Sequence, residues 1–329
     1  MTTLPASYAE LSPDLVIAAV ESTGRLSDAR VLALNSYENR VYQVGMDEGP
    51  PLVAKFYRPG RWSDAHILEE HAFSQELAAA ELPVVAPLVD AEGASLHFYQ
   101  GSRFALFTRK GGQALEAGDP DQLYRVGLVL GRLHAIGAKR PFQARPALTV
   151  ERYLDQPAAL ILAGDFLPAQ LVEAYAAIVA LLRGKIVAVG LDQHAGIRTQ
   201  GDCHPGNIIW TRDDGPWLLD FDDCQTAPAV QDLWMLLCGN QREQERQLAE
   251  LLEGYNTFFD FDSRQLALIE ALRSLRMIHY AGWLATRWTD PAFPRYFPWF
   301  NTEAYWQAHI GELQEQGRRL DEEPLRCFG

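Results

Sequence analysis

The chain has no CxxC pair; its four cysteines, Cys203, Cys224, Cys238 and Cys327, stand apart at uneven spacing. That pattern argues for neither a disulfide framework nor a structural zinc site, and it fits a reducing cytoplasm. Basic residues are few as well, 29 against 43 acidic ones, for a formal charge of -14 over 329 residues. Binders of nucleic acid and of anionic membranes need excess Lys and Arg, so neither partner is expected. No uninterrupted apolar run approaches the roughly 18 residues of a membrane span. The first ten residues, Met1 to Glu10, lack a basic region followed by an apolar one. The expectation is a soluble, unexported, cytoplasmic protein. Internal repeats, low-complexity tracts and charged tails are also absent.

What is present is enough apolar sequence, 48% of residues, to bury a substantial core in one or two lobes. Between 25 and 106 the chain consists of short β-rich runs, with Asp47-Glu48-Gly49-Pro50 as a turn, which predicts an antiparallel sheet. A helical period over 63–81 interrupts it, with Ser63 as N-cap. Beyond Gly111-Gly112 the period becomes helical, over 121–136, then 168–182, then from 229 onward. Strand-rich sequence before helix-rich sequence implies a bilobal α+β fold: a small N-terminal antiparallel sheet with one helix, and a larger, mainly helical C-terminal lobe. The expected lobes are 1–108, binding nucleotide, and 109–329, carrying catalysis and substrate, hinged at 107–112. Phe107, at the head of that hinge, is counted among the nucleotide-binding residues.

The most informative stretch is Gly201-Asp202-Cys203-His204-Pro205-Gly206-Asn207, followed by Ile208-Ile209-Trp210, a polar turn, and Trp217-Leu218-Leu219-Asp220-Phe221-Asp222. Two apolar strands joined by a turn hold Asp202, Asn207 and Asp220 near one end of a small sheet. That spacing is how kinases orient a hydroxyl and hold Mg2+ against ATP phosphates. Asp202 would take or orient the hydroxyl proton; Asn207 and Asp220 would offer the oxygen ligands Mg2+ prefers. Asp222 falls on the side of Asp220 if the segment stays extended, where it would assist metal or substrate, and Asp223 reads as a turn residue. His204 is read as packing its loop. The alternative, a general base or a metallohydrolase ligand, needs more histidines nearby.

Lys55 sits inside the strand-like run Leu52-Val53-Ala54-Lys55-Phe56, and an ammonium buried there needs an anionic partner. In a kinase the partners are ATP phosphates and a helix Glu, here Glu70 ahead of Glu69. The alternative is an edge-strand Lys with its head in water. A phosphate-covering turn would lie in Leu34-Asn35-Ser36-Tyr37-Glu38-Asn39-Arg40, which contains no glycine and matches neither Walker A nor GxGxxG. Backbone amides, Ser36 and Asn39 are its candidate phosphate contacts, against an ordinary hairpin turn. Asp232 is expected in the first turn of a helix, as a cap accepting N–H groups of the preceding loop. His134 is expected to pack in an amphipathic helix.

Together these residues resemble the aminoglycoside phosphotransferase and choline kinase branch of the protein-kinase-like fold. Leu130-Gly131-Arg132-Leu133-His134 and Pro83-Val84-Val85-Ala86-Pro87 match further motifs of that branch. Leu34 to Tyr42, Ala54 to Pro59, Ile67 to His71, Pro228 to Leu236 and Asp290 to Pro294 resemble, more narrowly, its bacterial stress-response kinases. The resemblance implies a cytoplasmic, monomeric, ATP- and Mg2+-dependent Ser/Thr protein kinase acting in stress response, with Asp202 catalytic and Asn207 and Asp220 on the metal. One departure is Gln200, where the branch has His before the Gly-Asp; Gln can still donate and accept hydrogen bonds to brace the loop.

The C-terminal third is aromatic, from His279 through Trp306. Ordinary packing is the default reading, and a cage for a quaternary amine the alternative. Three functions are carried forward: a protein Ser/Thr kinase, whose acidic surface would attract basic proteins; a small-molecule kinase acting on choline, homoserine or an aminoglycoside; and a nucleotide-binding scaffold without turnover.

Overall fold

The structure, a computed structural model, describes residues 11–212 and 215–327. The N-terminal ten residues searched for a leader, and positions 213–214 of the polar turn, lie outside the described residues. Helix α1, Pro13–Glu21, starts at Ser12, whose hydroxyl accepts the Leu15 N–H. It leads into β1 (Ser27–Leu34), β2 (Arg40–Met46) and β3 (Leu52–Phe56). Helix α2, Asp64–Ala79, follows with Ser63 as its N-cap, accepting from the His66 N–H. Strands β4 (His97–Tyr99) and β5 (Ser102–Thr108) complete a five-stranded antiparallel sheet of order β1-β2-β3-β5-β4.

Alternation along the central strand β3 sorts its side chains. Leu52, Ala54 and Phe56 enter the small-lobe core with Val44, Phe104 and Leu106. Val53 and Lys55 therefore face the other way, into the cleft. The odd-even period of five residues thus puts one ammonium at the site.

After β5 the chain changes lobe. Strand β6, Gln113–Ala114, pairs with a distant strand rather than with β5. Helix α3, Pro120–Gly137, is followed by α4 (Gln156–Ala163), α5 (Val172–Val189) and β7 (Ile197–Thr199). Next come β8 (Ile208–Thr211), β9 (Gly215–Leu218) and β10 (Gln225–Ala227), then α6 (Gln241–Tyr255), α7 (Ile269–Arg287), α8 (Ala292–Tyr296) and α9 (Glu303–Arg319). The partner of β6 is β8, and β8 pairs antiparallel with β9 to form the expected hairpin. A single large core, including Leu130, Tyr175, Leu251, Leu275 and Trp306, joins these helices. Helices α3 and α6 approach so closely that a Cβ on Gly131 would meet the Tyr255 carbonyl oxygen at 2.3 Å. Only glycine fits there.

Two helix expectations are corrected. The one over 168–182 begins as a 3-10 turn, Ala169–Leu171, and runs on as α5 until Gly190 turns left-handed. The one opening at 229 is only a 3-10 turn, Ala229–Asp232, and the chain reaches an α-helix at Gln241. Side chains of that turn are held by the loop at 200–201, which fixes it as a short brace. The segment Ala169–Gln193 is the one helix among the described residues long and apolar enough to cross a membrane. It packs on α9, and Arg183 and Lys185 in its second half pair with Asp155 and Asp321.

Buried His71 bonds the Tyr57 hydroxyl (2.7 Å) and the Ser95 hydroxyl (2.8 Å). Burial lowers its pKa from 6.5 to about 3. The folded protein keeps this ring neutral, so its contribution is full above pH 6.5 and is lost as pH falls toward 3. By pH 5 that loss is about 2 kcal/mol. Glu70, raised by burial to about 7, has the opposite sign, so the comparison must be between proteins. His71→Gln is expected to lose about 2 kcal/mol less than the parent between pH 7.5 and pH 5 in denaturant titrations. Parallel pH profiles would remove His71 from that role.

Candidate active site

The cleft holds two cavities that share a wall. The first, about 510 Å3, runs under the sheet between Leu34, Val41, Val53, Phe107, Ile209 and Leu219, with Lys55 and Glu70 at its inner end. The second, about 490 Å3, opens toward α7 and is lined by Asp202, Arg276, Tyr280 and Trp283. Ser36, Asn207 and Asp220 line both. An apolar cavity with a cation among its lining residues suits a base and its phosphates. The second cavity meets the first at that shared wall.

Lys55 is almost fully buried, with Asp220 at 3.0 Å, Asp222 at 3.2 Å and Glu70 at 3.5 Å from its ammonium. Burial works against its charge, but those three carboxylates hold its pKa well above the ordinary value. The neighbouring helix residue, Glu69, lies elsewhere: its carboxylate accepts the N–H groups of Gln143, Ala144 and Arg145 at 2.5, 2.7 and 2.6 Å. Successive helical side chains point about 100° apart, so α2 gives one Glu to Lys55 and the other to the large lobe.

Asp222 corrects the extended reading. Asp220 takes a left-handed backbone (φ 49°), and Phe221–Asp223 curl into a 3-10 turn. Asp222 is therefore turned inward, 3% exposed, against Lys55, Arg61 and the Asn39 amide (3.2 Å). Opposing its burial, Arg61 and Lys55 hold its pKa well below the carboxylate range. Asp223 lies in that turn and pairs with Arg61 at 2.6 Å. Asn39 has both amide ends occupied, since its Oδ1 accepts the Arg58 N–H at 3.1 Å. It borders the slot while bracing the turn above it. Ser36 makes no hydrogen bond among the described residues and borders both cavities.

The loop carrying Asp202 is held from beneath. Asp232 accepts the N–H of Gln200 (2.7 Å) and of Gly201 (2.8 Å), and its third contact is His134 Nε2 at 3.0 Å. His134 also bonds the Tyr255 hydroxyl at 2.7 Å. It is thus a brace between α3, α6 and the loop, beyond the packing role expected of it. Gly201 has φ +87°, and a Cβ there would meet the Asp223 carbonyl oxygen at 2.1 Å, so the loop can lie on its neighbour only with glycine. Gln200 ties three points: its Nε2 donates to the carbonyls of Leu219 (3.0 Å) and Asp220 (2.8 Å), and its Oε1 accepts the Asp202 N–H (2.8 Å). Gln200→Leu strands all three and is expected to cost about 2 kcal/mol or more in stability. Gln200→His, which keeps a donor and an acceptor, is expected to transfer phosphate within about threefold of the parent; a loss as large as that of Gln200→Leu would overturn the bracing role.

Asp202 itself is raised in pKa by burial, with Arg276 pulling the other way. Arg276 Nη1 bonds its Oδ1, and His204 Nε2 lies 3.6 Å from its Oδ2. His204 also accepts the Gly206 N–H at 3.0 Å, which packs the loop as expected. Asn207 donates its amide to the Asp202 carbonyl at 3.0 Å. Its Oδ1 carries no hydrogen bond among the described residues, and half-exposed Asp220 has one oxygen on Lys55. Two oxygen donors thus meet at the shared wall. No cluster of three His, Cys, Asp or Glu that could hold a metal occurs among the described residues.

Sequence reading missed Arg61, Arg145, Arg276 and the buried contacts across the cleft. Arg58 pairs with Asp290 at 2.9 Å, Glu38 with Arg287 at 2.7 Å, and the Trp283 indole donates to Glu38 at 2.5 Å. Three segments that carried the family resemblance, around Glu38, Arg58 and Asp290, therefore meet in space. Burial of Glu70 and Asp222 beside Lys55 calls for further cations, which Arg61 and Arg145 supply. The aromatic third packs against itself, with Trp283 edge-on to Phe293 (5.0 Å) and the Arg58 guanidinium 5.3 Å from the Phe293 ring.

Residues 30–269 match the phosphotransferase enzyme family, and the chain belongs to that family. Within it the chain is 42% identical to stress response kinase A of Escherichia coli K12, over 97% of each chain. It is 41% identical to the serine/threonine protein kinase RdoA of Salmonella typhimurium, with the same coverage. Among solved structures it resembles amicoumacin kinase in complex with AMP-PNP, Ca2+ and Ami, with a TM-score of 0.69 at 18% identity over 93% of this chain and 92% of that one. The last likeness is one of fold. The chain is a kinase of bilobal α+β architecture, and its relatives over nearly its whole length are stress response kinases.

Proposed function

We propose that the chain transfers the γ-phosphoryl group of ATP to a Ser or Thr hydroxyl of a protein substrate, with Mg2+ as the divalent ion. The observation that carries this reading is the shared wall: an apolar slot ending at Lys55 and an acceptor cavity holding Asp202 meet at Asn207 and Asp220. Phe107 would line the base, Lys55 positioned by Glu70 would hold phosphate oxygens, and Ser36 would border the phosphates, while Asn39 braces their covering turn. Asn207 Oδ1 and the outer oxygen of Asp220 fit a hard cation that completes its shell with phosphate and water. Such an ion would neutralise charge on the transferring group. Asp202 would orient the incoming hydroxyl and take its proton.

The functional lobes divide as 1–108 for nucleotide and 109–329 for catalysis and acceptor, hinged at 107–112. The paired charges of the apolar helix at 169–193 suit packing inside the protein rather than in a membrane, and the acidic net charge disfavours nucleic acid; the enzyme is read as monomeric and cytoplasmic. Labelled ATP with a generic Ser/Thr protein, beside choline, homoserine and aminoglycosides, tests the acceptor class. Transfer confined to a small molecule would replace the protein-kinase reading, and nucleotide binding without any transfer would leave only the scaffold.

A further inference from the structure

One face of α7 forms the far wall of the acceptor cavity through Leu272, Leu275, Arg276, His279, Tyr280 and Trp283, spaced at helical intervals. Arg276 is the only charged group on that face, since burial lowers the His279 pKa to about 4. Only the Nη1 of Arg276 is engaged, by Asp202. Its Nε and Nη2 donate to no described residue, and its side chain is 42% exposed. Those two donors form the fork that matches a carboxylate or phosphate in a bidentate pair.

Each carboxylate lining the cavity has at least one cation beside it, Arg276 in the case of Asp202. Glu38 faces Arg58 and Arg287, Asp222 and Asp223 face Arg61, and Asp220 faces Lys55. A cationic acceptor would find no carboxylate among the described residues there without a cation already beside it, and would meet Arg276. The chain's formal charge of -14 would draw basic proteins toward the surface, but the acceptor wall presents the opposite sign.

Resting on the protein-kinase reading above, we infer that the acceptor is a Ser or Thr flanked by an acidic residue, whose carboxylate is gripped by the Nε–Nη2 edge of Arg276 while Nη1 stays on Asp202. A guanidinium is narrow, and extended chain advances roughly 3.4 Å per residue. The acidic side chain therefore belongs one or two positions from the acceptor hydroxyl. Arg276 acts as a specificity residue, tying recognition of that anion to the carboxylate that receives the hydroxyl.

The test uses the full chain and a peptide set with one Ser and Asp, Gln or Lys placed one or two residues to either side. The parent is expected to show kcat/KM higher for Asp than for Lys peptides by about tenfold or more. Arg276→Gln should bring that ratio to within about threefold of unity, and Arg276→Glu should reverse it. Because the ratio is taken on one enzyme, any loss of turnover through Asp202 cancels. The dissociation constants of fluorescein-labelled copies of the same peptides, read by anisotropy, should follow the same order. A parent ratio near unity or favouring Lys, or a ratio unchanged in Arg276→Gln, overturns the inference. Absence of transfer to every peptide would instead count against the protein-kinase reading, with anisotropy still deciding the charge preference.

Discussion

Asp202→Asn is expected to lower phosphate transfer by about 10^3-fold while leaving ATP affinity within about threefold of the parent. The split follows from the two cavities. Asp202 borders the acceptor side and not the slot that ends at Lys55, so removing its charge removes the proton acceptor without touching the walls of the nucleotide slot. Steady-state transfer from labelled ATP gives the first quantity and calorimetric titration with AMP-PNP the second. Turnover within tenfold of the parent would sink the assignment. A pH profile adds a sign. Transfer needs the ionised carboxylate, so activity rises as pH passes the Asp202 pKa, and Arg276 is the cation that opposes its upward shift. In Arg276→Gln the acid limb should move to higher pH.

Asp232→Ala is expected to cost about 3–5 kcal/mol of stability, the range for breaking a buried, hydrogen-bonded charge. Asp232 is fully buried, and its loss would strand the N–H groups of Gln200 and Gly201 together with one ring nitrogen of His134. Those two amides fix the backbone just before Asp202, so transfer per folded molecule should fall as well, by about tenfold or more. Denaturant unfolding measures the first effect, and single-turnover transfer at low temperature, normalised to folded protein, the second. A destabilisation below about 1 kcal/mol would mean the loop is held by something else. Asp232→Asn keeps the shape but turns an N–H toward other donors, so it should fall between parent and alanine variant in both measurements.

The legible parts of the site were those whose chemistry is local. Asp202, Asn207 and Asp220 are separated by one short loop and one hairpin, and the β8–β9 pairing brings the ends of that segment together. Lys55 was legible because strand alternation gives it a face and burial demands an anion. Ser63 announced α2 because a hydroxyl before a helical period has one common use. Asp222 was misread because the left-handed turn at Asp220 has no signature in Asp-Phe-Asp-Asp. The bracing contacts of Asn39 were not legible, because its partners Arg58 and Asp222 lie 19 and 183 residues away.

The sequence by itself determined the class: period-2 runs before period-3.6 runs made two lobes, and carboxylates spaced around a hairpin marked a kinase, because such signals need only neighbouring residues. Tertiary structure alone decided which of two adjacent glutamates meets Lys55. It also decided that Arg61 and Lys55 pair with Asp222, that His134 and Asp232 hold the loop before Asp202, and that Arg276 bonds Asp202 at the wall of the second cavity. Each of these depends on distant segments of chain meeting in a low-dielectric interior, where a charge must find its partner and no local pattern says which one it will be.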